Sequence, residues 1–361
     1  MKTVDEINEE LKQCDAAKVA HIIYDEAERK ALQESAEDPA DRAVLERIDT
    51  LFGAADLISI ENAVKHQRIL MALAAAATLL TISFLLYDEA MLYWLIFGCG
   101  VLIFCLFAIR RIASQLDCHR KYLEYRVLAE SLRVQYFLRY AGTRIRVTDL
   151  LPWSLRMGMP WLTRALNDVV TPPDIETREE QEDEALEDEA SGDEPILPAA
   201  APVRHSILDC WILDQKRYHE RALIRTQVKD QRNDRISRIV LIVTIIAYFV
   251  TLGFEIHVYR VHGNADPVSF EANEHVRSIL KIILGSLSAT TLFSGNYYGK
   301  MSLGNTINDH KRMIALLSSV EHRIEEEGET EDLLIDLARE SLSENSTWYA
   351  YQSMNSPEIS L

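Results

Sequence analysis

The sequence offers no framework for redox or metal chemistry. Its five cysteines, Cys14, Cys99, Cys105, Cys118 and Cys210, form no Cys-x-x-Cys pair. That excludes a disulfide scaffold and a cysteine zinc site, and it fits a reducing compartment. The opening stretch, Met1 to Val19, is charged and has no hydrophobic core region. No cleavable signal peptide is therefore expected, and any insertion into a bilayer must be driven by internal segments.

Catalytic patterns are missing too. There is no serine-hydrolase elbow, glycine-rich dinucleotide turn or His/Glu metalloprotease spacing. The nearest approach to a phosphate-binding loop runs from Gly295 to Ser302. It is one spacer short and follows an apolar segment instead of a strand. No enzymatic activity, cofactor, metal or nucleic-acid partner is expected.

The charge is unevenly spread. The net charge is −18, and the stretch from Asp174 to Glu194 supplies −11 of it, with twelve acids against Arg178. These acids lack the order and closing glutamate of a calcium loop. With Pro172, Pro173, Pro195, Pro198 and Pro202 around them, they leave too little apolar surface to fold, so a disordered linker is expected over residues 171–204.

Two long hydrophobic blocks hide behind a mean hydropathy of −0.07. Ile69 to Tyr87 and Ala90 to Ile109 carry no charge, and only Asp88 and Glu89 part them. Each matches the ~20 residues needed to cross a hydrocarbon layer of about 30 Å. A second pair runs from Ile239 to Tyr259 and from about Ser278 to Tyr298. The expected fold is therefore all-α: an integral membrane protein with two transmembrane hairpins, four spans in all, and long cytoplasmic helical extensions.

Basic flanks set the orientation. Lys65 and Arg68 precede the first span, Arg110 and Arg111 follow the second, and Arg232, Arg235 and Arg238 precede the third. By the positive-inside rule both termini are cytoplasmic. The chain then divides into a cytoplasmic helical segment (1–68), the first hairpin (69–109), a cytoplasmic helix and connector (110–170) and the acidic linker. A basic juxtamembrane helix (205–238), the second hairpin (239–299) and C-terminal helices (300–361) complete it.

Within the extensions, Val44, Ile48, Leu51, Phe52 and Ala55 mark one apolar face. Ile112, Leu116, Leu123, Val127, Val134 and Leu138 form a stripe on a helix running from Arg110 to Tyr140 and stopped by Gly142. Arg217, Arg221, Arg225, Lys229 and Arg232 give the juxtamembrane helix a basic face, either a topology signal or a site for anionic head groups. Two more helices are expected over Thr306 to Glu327 and Thr330 to Glu344, the second capped by Thr330.

The fourth span is the most polar. Thr291, Gly295 and Gly299 recur every four residues, and Gly285 and Ala289 add a second small pair. Such positions allow close helix approach, either in an assembly interface or between the third and fourth spans. Lys281, Ser288, Thr291 and Asn296 are poorly placed against lipid and, with Glu255, are candidate pore-lining or polar intramembrane residues. Glu255 and Lys281 are expected at similar depth, paired in a salt bridge. A transporter would need paired ionisable groups or broken helices in both hairpins, and the first has neither.

Two segments resemble a known family. His310, Lys311, Arg312 and Met313, followed by Leu337 to Glu340, Glu344, Asn345 and Trp348, resemble the tail of bacterial SLATT-type membrane effectors. The run from Leu116 to Gln135 is similar to the helix leaving the first membrane pair of proteins that begin with a prokaryotic TRPM-like SLOG domain. Ser346 and Thr347 stand where that group has Gly-Asp, and basic residues after the Trp are missing. No nucleotide-binding SLOG domain is expected before residue 69.

The resemblance implies a pore-forming or membrane-disrupting effector of a bacterial defence system. It implies a homo-oligomer in the inner membrane, signalled by a cytoplasmic nucleotide-sensing partner, a SLOG-type protein or a nucleotide-synthase system. The competing expectation is a membrane anchor or scaffold for a cytoplasmic sensor complex.

Overall fold

A computed structural model describes residues 9, 19–23, 26, 29, 39–143, 145–170, 207–262, 273–300, 303–328 and 330–354. The expected disordered linker lies outside the described residues. Among them every regular element is helical, and four helices are long and apolar enough to cross a membrane.

In chain order these elements are α1 (Pro39–Glu89), α2 (Leu95–Leu116), α3 (Cys118–Tyr140), α4 (Val147–Leu150), α5 (Trp153–Gly158) and α6 (Pro160–Val170). A π-helical turn (Leu208–Leu213) leads into α7 (Asp214–His262), and α8 (Glu274–Lys300), α9 (Leu303–Glu327) and α10 (Glu331–Met354) follow. The chain divides into two compact units, each assembled from separated stretches. One gathers residues 1–63, 119–223 and 308–361, the other 64–118 and 224–307.

The first unit has the hydrophobic core. Val44, Leu45, Ile48, Phe52 and Ala55 of α1 are buried, as their spacing predicts. They meet α3, whose Leu128, Leu132, Phe137 and Leu138 are buried together with Tyr125 and Tyr136. Helix α3 is covered on nearly every side, so it is the central helix of this unit, not the one-striped helix that its sequence suggests. Leu317, Val320 and Ile324 of α9 and Leu333, Leu334, Leu337 and Leu342 of α10 close the core. Phe137 stacks on Trp211, ring centroids 5.1 Å apart, where the π-helical turn brings Cys210, Trp211 and Ile212 inward in succession.

Helix ends follow local chemistry. Gly142, at φ +80°, ends α3, and the Thr143 N–H donates to the Leu138 carbonyl at 3.1 Å, a Schellman closure. The Gln135 side-chain oxygen accepts the Val147 N–H at 2.8 Å and so starts α4. Thr330 caps α10 through the Leu333 N–H, 3.4 Å away. That helix runs ten residues beyond the expected Glu344, because Trp348 and Tyr349 pack against the core.

Two expectations about α2 change. The helix expected from Arg110 to Tyr140 is interrupted at Asp117, which adopts a left-handed conformation at φ 49° and separates α2 from α3. Accordingly Ile112 and Leu116, before the break, are 51% and 46% exposed, whereas Leu123, Val127, Val134 and Leu138 are buried. The first hairpin turn is also wider than the Asp88–Glu89 pair. Helix α1 ends at Glu89, Met91 is left-handed at φ 53°, and α2 begins at Leu95 instead of Ala90. Two residues inside continuing helices cannot reverse a chain. The five from Ala90 to Trp94 do so through short-range bonds such as Leu95 N–H to Leu92 O at 2.9 Å.

In the second unit large apolar side chains point outward. Phe97, Phe104 and Phe107 of α2 and Phe249 of α7 are each more than 60% exposed. Of the four described cysteines, Cys105 is exposed on this unit while Cys99, Cys118 and Cys210 are buried.

The two units give opposite responses to truncation. Leu132→Ala removes a fully buried side chain and is expected to destabilise the chain by about 2–5 kcal/mol. Leu292→Ala, at a 68% exposed position, is expected to leave stability within about 0.5 kcal/mol. Thermal unfolding of the two variants in detergent checks this difference.

Candidate functional site

In the second unit, α8 lies between α1 and α7, and its polar residues have distinct partners. A Cβ at Gly285 would come within 2.7 Å of Leu85 Cδ1, so this glycine admits the α1 side chain. Ala289, one turn on, is buried. Thr291 Oγ1 lies 3.4 Å from Thr244 Oγ1 of α7 and donates to the Leu287 carbonyl at 2.8 Å. The small residues therefore do not form one seam. Gly285 serves α1, Thr291 faces α7, and Gly295 is exposed with nothing within 4 Å of an added Cβ. The surroundings of Asn296 and Gly299 lie outside the described residues.

Glu255 pairs with Arg277, not with Lys281. The Arg277 Nε and Nη2 atoms donate to the two Glu255 oxygens at 2.9 and 2.8 Å. Lys281 Nζ instead contacts Glu89 at 3.0 Å. The helical phase of α8 explains the exchange. Lys281 lies one turn from Gly285, and Glu89 one turn from Leu85, so the antiparallel contact that seats Leu85 on Gly285 also joins Lys281 to Glu89. Arg277 lies on the α7 side and has the planar fork that matches a carboxylate.

Most hydroxyls of α8 turn back onto their own helix. Thr290 donates to the Ser286 carbonyl at 2.8 Å and Ser294 to the Thr290 carbonyl at 2.6 Å. This bonding satisfies a hydroxyl without water. Ser288 is different, since it is exposed on the outer face of α8 beside Leu292 and Gly295, at intervals of four and three residues.

A second constellation, which sequence reasoning missed, lies in the first unit. Glu130 on α3 accepts from Arg126 at 2.6 Å and from Arg133 at 2.7 Å. Arg126 also reaches Asp56 of α1 at 3.1 Å. The Arg133 guanidinium sits 4.8 Å from the Phe52 ring centroid and donates to Gln215 of α7. Next to this group the Nδ1 atoms of His219 and His310 approach to 3.0 Å, so one imidazole must donate to the other. Glu344 of α10 and Asp309 of α9 bring two further carboxyls.

The signal was available but scattered. Arg126, Glu130 and Arg133 lie in one of the two segments that carry the family resemblance, and His310, Arg312 and Glu344 in the other. The fold joins these segments elsewhere too. Tyr122 meets Trp348 edge-on at 5.7 Å, and His119 Nε2 lies 3.2 Å from the Gln352 carbonyl. Among the described residues no group of three or more His, Cys, Asp or Glu is arranged to hold a metal ion.

No family model, curated protein or solved structure matches the chain. The residues themselves therefore carry the functional reading.

Burial sets the protonation of this constellation. Burial pushes the Glu344 carboxyl up to about 8, helped by Asp309 and Glu130 and opposed by Arg312. Burial, with His310 beside it, pushes the His219 imidazole down to about 4. Glu130 is also buried, yet Arg126 and Arg133 hold its carboxyl below the ordinary range. At neutral pH the group thus combines a protonated Glu344, a neutral His219 and an ionised Glu130.

Linkage gives the stability profile. Glu344 binds its proton more tightly when folded, so its contribution is lost as pH rises from its ordinary 4.5 through about 8. His219 binds its proton less tightly when folded, so its contribution is lost as pH falls from 6.5 toward 4. The two effects oppose each other between pH 4.5 and 6.5, so the unfolding temperature is expected to be nearly level there and to fall as pH rises from 6.5 through about 8. Glu344→Gln should remove the alkaline fall and uncover a rise in unfolding temperature from pH 4.5 to 6.5, as thermal scans from pH 4.5 to 9 would register.

Proposed function

We propose that the protein is a non-enzymatic, multi-pass inner-membrane effector of a bacterial defence system. Its second hairpin assembles with that of other copies to open an ion path, and its other unit receives the opening signal. The observation that carries this reading is the outer face of α8. On the least apolar of the four candidate spans, Ser288 and Gly295 are exposed from the single chain and two turns apart. A hydroxyl and a glycine gain little from lipid, but both suit a close contact with another helix or with water.

Further support comes from the family resemblance and from the basic flanks, which by the positive-inside rule favour cytoplasmic termini. Within this reading Glu255 and Lys281 have structural roles, because each is already paired. The signal comes from a cytoplasmic partner of the nucleotide-sensing kind. It acts on the charged constellation around Glu130, whose members come from five helices.

A scaffold reading draws on one opposing observation, the return of the Thr290, Thr291 and Ser294 hydroxyls to their own helix. The two readings differ over Ser288 and Gly295. In potassium-loaded liposomes supplied with the activating partner, the doubly substituted Ser288→Leu, Gly295→Leu protein should lose efflux by at least about tenfold, equivalent to ~1.4 kcal/mol of lost association. Gly253→Leu, where an added Cβ also meets open space on α7, should keep it. Unchanged signalling in cells by the double variant would favour the scaffold.

A further inference from the structure

The second unit contains a cavity of about 380 Å³ between α1, α7 and α8. Its walls differ in chemistry from one end to the other. Met71, Ala74 and Ala75 of α1 and Phe293 of α8 make an apolar wall within the hydrophobic segments. At the other end stand Lys229 and Arg232 of α7, ahead of the apolar run that begins at Ile239. The volume is that of a small-molecule site.

Lys229 and Arg232 have no carboxylate partner among the described residues, unlike Arg238, which pairs with Asp234 on the same helix. Asn233 also lines the cavity. It is 6% exposed, and its Nδ2 donor has no hydrogen-bond partner. A buried amide donor left unmatched is unfavourable unless something completes it. Two unpaired cations and one unused donor at the mouth of an apolar chamber describe the complement of an anionic head group with a hydrocarbon tail.

We propose that this cavity holds an anionic phospholipid. Its phosphate oxygens are bound by Lys229, Arg232 and the Asn233 amide, and one acyl chain lies against Met71 and Phe293. The assignment rests on the membrane reading of this unit but not on ion conduction. A phospholipid is favoured over a water-soluble phosphate because Met71, Ala74, Ala75 and Phe293 line the cavity and the helices that form it expose Leu, Ile and Phe elsewhere. The cation positions also match the basic flank expected at the cytoplasmic leaflet, where anionic lipids concentrate.

The test uses the full chain purified in a neutral detergent. Thermal unfolding is followed with added phosphatidylglycerol, phosphatidylcholine or glycerol 3-phosphate. Phosphatidylglycerol should raise the unfolding temperature by several degrees, and the other two should not. Lys229→Gln with Arg232→Gln should weaken the effect at least tenfold, whereas Arg235→Gln, outside the cavity, should leave it. Should the double variant fail to fold, lipid extracted from the wild-type protein decides, and it should be enriched in anionic species over the bulk membrane. Equal stabilisation by phosphatidylcholine, an effect that survives the double substitution, or extracted lipid of bulk composition would overturn the proposal. Stabilisation by glycerol 3-phosphate alone would overturn it in favour of a soluble phosphate. Protein that stays in solution without detergent would overturn the membrane reading itself and this site with it.

Discussion

The Glu130 carboxylate, held between two guanidiniums, makes the burial of helix α3 possible. This helix carries Arg126 and Arg133 into the centre of the first unit, where an unpaired charge would be strongly unfavourable. Glu130 accepts from both at 2.6 and 2.7 Å, and Asp56 and Gln215 take further donors. With the charges matched in place, α3 can present Leu128, Leu132, Phe137 and Leu138 to its neighbours, and α1, α9 and α10 gain a common surface. The pairing also fixes rotation about the helix axis, since the acid and both bases are spaced by four and three residues.

The same constraint explains what could and could not be read from the sequence. Hydrophobic runs report their own role, so the four apolar helices and the Val44 to Ala55 face were legible from spacing alone. So were the ends set by Gly142 and Thr330, because each depends on one residue and its nearest neighbours. Helix α3 was not legible in that way. Its sequence marked one apolar stripe, and only the fold shows that Arg126, Glu130 and Arg133 are matched with one another, with Asp56 of α1 and with Gln215 of α7. His219 and His310 are 91 residues apart, and nothing local in either segment indicates their contact.

In the apolar unit the ambiguity was about phase more than about identity. Lys281 and Glu255 were recognised as charges needing partners, and both have them. The partners differ because α8 contacts two helices along faces only part of a turn apart, so a position must be assigned to a face before it can be assigned a mate. The stripe of small residues divides for the same reason. Gly285 admits Leu85, Thr291 meets Thr244, and Gly295 turns away from both. Periodicity gives the spacing of a face, and tertiary contact decides which neighbour that face meets.

The uneven exposure of the thiols has a practical corollary. A maleimide or spin label needs an accessible thiolate, and thiols enclosed by apolar side chains react slowly. Cys99, Cys118 and Cys210 are enclosed, whereas Cys105 is exposed on α2, a helix that also exposes Phe104 and Phe107. The native chain thus presents, among its described cysteines, one reporter position on the exposed apolar helix α2, ready for labelling chemistry without an engineered cysteine.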